Sequence, residues 1–197
     1  MKPEDPGFRI YVHISSYTTT IERVGQLRSL AAEHHDLCNV LAACSAFLLA
    51  VGLDQGVTAS LVGAGNSWSI GRNPGNDPNP FDQLLCQSLR TRVMQAPELL
   101  SQGRYSLKRP SREVAALHEL ITLRNNLAHI PEEPLVAQTP HPQVEYDGEG
   151  VRVRFAPPPD HWGTVTLDSL DRFERAVRLY VEEVLETKEL LPGTLLR

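Results

Sequence analysis

The apolar positions of the chain change period as they run. Phe8, Ile10, Val12 and Ile14 alternate with Arg9, Tyr11 and His13, which is the period of a half-buried strand. From Thr20 onward Leu27, Leu30, His34, Leu37, Leu41, Cys44 and Leu48 recur at steps of three and four. That seam predicts one long helix from Thr20 to Gly52. The stretch from Asp54 to Pro80 is dense in Gly, Asn and Pro and predicts an irregular connection. A second helix is expected to start near Pro80, carry Phe81, Leu84, Leu85, Leu89 and Val93, and stop where Pro97 interrupts it. Ser111 suits an N-cap, and Val114, Leu117, Leu120, Ile121, Leu123 and Leu127 form the apolar face of a third helix over Arg112 to Leu127. Pro131 disfavours helical geometry at Ile130 and so marks that helix's end.

Beyond it, Val144 and Tyr146 face Val151, Val153 and Phe155 across a Gly-containing turn, a hairpin pattern. Asp168 is then expected to cap a last helix with Leu170, Phe173, Val177, Tyr180 and Val184 on one seam. The predicted fold is mainly α: one domain over residues 1–197, a bundle of about four helices, with an irregular loop at 54–80 and a hairpin inserted at 143–155. The N-terminal strand is expected to join that hairpin in a small antiparallel sheet.

Composition narrows the chemistry. The 197 residues are 41% hydrophobic, 22% charged and carry a formal net charge of -5. Such a chain can bury a core, and it has no bulk positive charge with which to bind polyanions, so any nucleic-acid role needs a local patch. Cys38, Cys44 and Cys86 form no CxxC pair and the chain opens on acids and prolines rather than a signal peptide, which leads us to expect reduced thiols and a cytoplasmic location. Leu37 to Leu53 is uncharged and near the short limit for a membrane span. Its continuity with the amphipathic seam favours a buried helix. In "EHHD", Glu33 to Asp36, neighbouring side chains diverge around a helix, so too few ligands converge for a metal.

The third helix ends on the most informative stretch, Arg124-Asn125-Asn126-Leu127-Ala128-His129. Lysine occurs only at Lys2, Lys108 and Lys188, so sixteen of the 19 cationic Lys and Arg residues are arginine. With 7 histidines, about 0.6 Arg–His pairs are expected by chance at one fixed spacing, so spacing alone proves nothing. Context adds more. Arg124 borders the apolar face, where an unpaired charge is expensive. Five helical steps would place His129 about 140° around from it, but a helix ending near Leu127 lets the histidine turn back. The plainer alternative is that both are cations settled at a helix C-terminus.

These residues resemble the motif of the higher-eukaryote and prokaryote nucleotide-binding (HEPN) superfamily. There an arginine, usually followed by a polar residue, is separated by four to six residues from a histidine at a helix end in an all-α bundle. Arg124, Asn125 and His129 match those positions, and the order of long helix, second helix, motif helix and final helix fits over most of the chain. The resemblance implies a metal-independent endoribonuclease that acts as a homodimer, with the two motifs in one cleft. His129 would be general acid or base, Arg124 the phosphate clamp and Asn125 a phosphate- or arginine-positioning group. It implies RNA as substrate, no cofactor, no membrane, and a toxin or defence setting with a cognate antitoxin or regulatory protein. Some family toxins carry a modifiable tyrosine two residues after the histidine; Pro131 stands there, so that control is not implied. Arg90, Arg92, Arg104, Lys108, Arg109 and Arg112 lead into the motif helix against only Glu98, and are expected to form a basic lip. The alternatives are a non-catalytic HEPN-like module binding a nucleotide or protein, and a plain helical dimer in which Arg124 is structural.

Overall fold

The computed structural model describes residues 6–69, 78–128, 143–146, 151–154, 163–186 and 193–197. Its body is helical: α1 (Pro6–Glu33), α2 (Cys38–Ser69), α3 (Pro80–Leu85), α4 (Leu89–Leu100), α5 (Arg112–Ala128) and α6 (Leu167–Tyr180), the last running into a π turn (Val181–Leu185). The central element is α2, which packs against α1, α3, α4, α5, α6 and the π turn.

The expected small antiparallel sheet is not formed. Residues 8–14, read as its N-terminal strand, lie inside α1. Among the described residues, extended backbone pairs Gln143–Tyr146 with Val151–Arg154 in a two-stranded ribbon and, as an isolated bridge, Leu107 with Leu196. Neither gives the ribbon a third strand, and it is too small to make a layer of the fold. The reason lies in α2. Its 32 residues extend roughly 48 Å, and α1 runs back alongside them as the second arm of a helical hairpin. A helix satisfies its own backbone there, whereas a lone strand would need an edge that the bundle does not offer.

The long helix expected over Thr20 to Gly52 is likewise two helices, because a turn at residues 34–37 separates α1 from α2. His34 N donates to Leu30 O and Leu37 N to His34 O, each at 3.0 Å. The interruption spans four residues, about one helical turn, so the steps of three and four stay in phase across it. Leu30 and Leu37, placed on the seam by that phase, are 43% and 49% exposed at the hairpin tip, where Val40 is 45% exposed beside them.

Residues 54–69, expected to be irregular, continue α2. Leu49, Leu53, Val57, Leu61 and Gly65, four residues apart, are all buried and make one stripe along the core side of the helix. Two of its glycines mark close approaches rather than breaks. A Cβ at Gly56 would lie 2.8 Å from Leu185 Cδ1, and one at Gly65 would lie 3.1 Å from Phe81 Cβ. Such burial outweighs the roughly 1 kcal/mol that each glycine costs a helix. By length and composition α2 is also the one helix among the described residues that is able to cross a membrane, and half of its most apolar window is buried within the bundle.

Pro97 does not stop α4, which runs through it to Leu100. Proline has no N–H for the carbonyl four residues back, here that of Val93. Tyr180 supplies the missing donor: its hydroxyl gives a 2.8 Å hydrogen bond to Val93 O. The ring is fully buried, and burial pushes the phenol well above its ordinary range, so the proton stays on the oxygen.

The expected face of α5 is the observed one, with Val114, Leu117, Leu120, Ile121 and Leu127 buried and Ser111 Oγ accepting from Val114 N at 3.1 Å. Ser111→Ala removes that cap and is expected to lower stability by about 1 kcal/mol, read by urea denaturation. In α6 the cap is Thr166, which accepts from Ser169 N, and Asp168 falls in the first turn instead. Leu170, Phe173, Val177, Tyr180 and Val184 are all buried. The lead into α5 is fixed from behind: Ser106 N donates to Arg197 O and Lys108 N to Leu195 O, at 3.0 and 2.7 Å. The Glu183 carboxylate accepts from the backbone N–H groups of Thr194, Leu195 and Leu196.

Candidate functional site

Arg124 lies on the last turn but one of α5, three residues after Ile121 and four after Leu120, both buried. Its aliphatic stem therefore runs along the core edge, and the side chain is half-buried. The guanidinium is poorly provided for. Nη1 donates to Asn125 Oδ1 at 3.0 Å, while Nε is buried and makes no hydrogen bond. Among the described residues no carboxylate pairs with it, although Arg28, Arg92, Arg172 and Arg175 each have one. Asn125 is exposed beside it. His129, the third residue of the motif, lies outside the described residues.

The basic segment ahead of α5 is more dispersed than a continuous lip. Arg92 is committed to Asp54 at 2.8 Å, Arg104 Nε donates to Ser101 O at 3.1 Å, and Lys108 Nζ donates to Gly193 O. Arg90 turns the other way. Its Nε donates to His118 Nδ1 at 2.6 Å, joining α4 to the middle of α5.

That contact opens onto a groove of about 420 Å³ between α4, α5 and α6, lined in part by Arg90, His118, Thr122, Asn126, Ser169 and Arg172. His118, Thr122 and Asn126 follow at four-residue steps, so they share one face of α5. Asn126 belongs to the motif, whereas Arg124 and Asn125 do not line the groove. Asn126 is about 200° around α5 from Arg124, so the groove follows another face of the same helix end. Burial, followed by the positive charges of Arg90 and Arg109, holds the His118 imidazole below the usual histidine range. The ring is neutral at pH 7. Since Nδ1 accepts from Arg90, the ring proton is on Nε2, leaving a donor.

The sequence placed Arg90 in a basic lip and did not pair it with His118, the residue it bonds. The four-residue spacing of His118, Thr122 and Asn126 was the available signal. Two other grooves have different chemistry. One of about 710 Å³ between α1 and α6 is lined by Arg28, Arg178, Glu174, Glu182 and Glu186, with Arg28 paired to Asp171 and Glu174 at 2.7 and 3.4 Å. Burial raises the Glu174 carboxyl above its ordinary value, Arg28 opposing and Asp171 adding to the shift. The other, along α3 and α4, is lined by glutamines and Glu98 without a cation. Among the described residues no three His, Cys, Asp or Glu side chains converge as metal ligands do.

Comparison of the chain with protein-family models, curated protein sequences and solved structures finds no match. The likeness to the HEPN superfamily therefore rests on the motif residues and the order of the helices.

Proposed function

We propose that the chain is a metal-independent endoribonuclease of HEPN type, working as a homodimer on RNA. The observation that supports this reading most is the state of Arg124: a half-buried side chain with an unbonded Nε, steadied, among the described residues, by Asn125. A structural arginine at a core edge is ordinarily paired, because burying an unpaired charge costs stability. An arginine kept for a ligand is left open, and planar guanidinium suits two phosphate oxygens at once.

RNA supplies its own nucleophile. In the proposed reaction a neutral His129 imidazole takes the proton of the 2′-hydroxyl as O2′ bonds to phosphorus. The P–O5′ bond breaks, and the departing O5′ receives a proton from a second, protonated imidazole. Arg124 carries the charge that gathers on the phosphorane oxygens, and Asn125 holds the guanidinium in line. Each chain has one such histidine, so acid and base together require two copies, which is the physical case for a symmetric dimer.

The test is incubation of the folded protein with RNA in EDTA. Wild type is expected to yield 2′,3′-cyclic phosphate and 5′-hydroxyl ends, and His129→Ala none. RNA left intact by folded wild-type dimer would overturn the reading and favour a module that binds a nucleotide or a protein.

A further inference from the structure

We propose that the groove between α4, α5 and α6 is a phosphodiester-binding track for the RNA strand flanking the cleaved bond, held by Arg90, Arg172, His118 and Asn126. Its role beside a scissile bond rests on the nuclease reading above; its binding chemistry stands on the groove itself. Of the three grooves it is the one with a surplus of donors. Arg90 spends Nε on His118 and leaves its two terminal nitrogens without a partner among the described residues. His118 offers its Nε2 proton without adding a charge that would repel Arg90. Arg172 lies 5.8 Å from the centre of the Phe173 ring, a placement that orients its guanidinium before a ligand arrives.

Glu119 is the acid of the groove, and it pairs with Arg172 at 3.2 Å. Both side chains are about half exposed, so the pair is weak and a phosphate oxygen can take the place of the carboxylate. From His118 to Asn126 the face covers eight helical steps, roughly 12 Å, room for a strand rather than one isolated phosphate. Phe173, the one Phe, Tyr or Trp side chain in the lining, is 4% exposed and offers no stacking platform, and the His118 ring is held by Arg90. The track therefore grips backbone rather than bases, and its affinity is expected to be nearly independent of RNA sequence.

The test uses a fluorescent 2′-O-methyl RNA oligonucleotide, which cannot cleave itself, with binding read by anisotropy across a salt series. Arg90→Ala and Arg172→Ala are each expected to weaken binding severalfold and to lower the slope of log K against log salt by about one. Arg23→Ala, an equal loss of charge on α1, is expected to change neither. Circular dichroism checks that each variant is folded. Absence of oligonucleotide binding to wild type would overturn the track, as would equal losses in Arg23→Ala, or saturation by AMP or inorganic phosphate with no RNA binding. Cleavage of ordinary RNA with unchanged KM in both groove variants would sink the track and leave the nuclease reading intact. Groove-dependent binding without cleavage would do the reverse.

Discussion

Arg124→Met is expected to leave the protein as stable as wild type, or slightly more so, while RNA cleavage falls by about two to three orders of magnitude. The two halves of this result follow from one observation. Methionine keeps the unbranched stem that packs beside Ile121 and Leu120, and removes a guanidinium whose Nε is buried without a partner. Deleting an unsatisfied buried donor costs little and can stabilise. The catalytic loss follows because the methionine thioether has neither a positive charge nor a donor for the phosphorane oxygens. Denaturation midpoints and single-turnover cleavage would be measured together. A fall in stability of 2 kcal/mol or more would mark Arg124 as structural, and undiminished cleavage would remove it from the mechanism. Arg124→Lys separates charge from shape, since a point charge without the planar fork is expected to recover only part of the rate.

The second large effect concerns Pro97 and Tyr180. Tyr180→Phe leaves Val93 O buried with neither an intrahelical donor nor the phenol, and is expected to cost about 2 kcal/mol. For a chain of 197 residues that is a drop of about 6 °C in Tm. In the Pro97→Ala background the helix regains an N–H for that carbonyl, so the same Tyr180→Phe change should cost about 1 kcal/mol less. Equal costs in both backgrounds would show that the two residues are not coupled through Val93.

The helical character of the chain, the face of α5 and the seam of α6 were legible from spacing alone, because each helix buries one stripe and its period is visible in a single sequence. Arg124 could also be placed at the edge of that stripe by counting three and four residues from Ile121 and Leu120. That its Nε has no partner could not. Whether a border arginine meets a carboxylate depends on which helices lie opposite it, and α5 presents that edge to no acid among the described residues.

The misread elements have particular causes. Phe8 to Ile14 alternates over too few residues for period to decide between strand and helix; the length of α2 alongside it decided. The glycines of residues 54–69 look like breakers until Leu185 and Phe81 are seen against two of them. Pro97 reads as a stop until Tyr180, 83 positions later in the numbering, is seen to satisfy the carbonyl it orphans.

What the amino-acid sequence determined by itself is therefore local and periodic: helical seams, the Ser111 cap and the run Arg124-Asn125-Asn126 on the last turns of α5. Tertiary structure alone decided where the seam at residues 34–37 breaks, which glycines are tolerated, and that Arg90 on α4 meets His118 in the middle of α5. The division has one physical reason. Side-chain period is fixed by backbone geometry within a segment, whereas hydrogen-bond satisfaction and charge pairing are set by elements far apart in the chain.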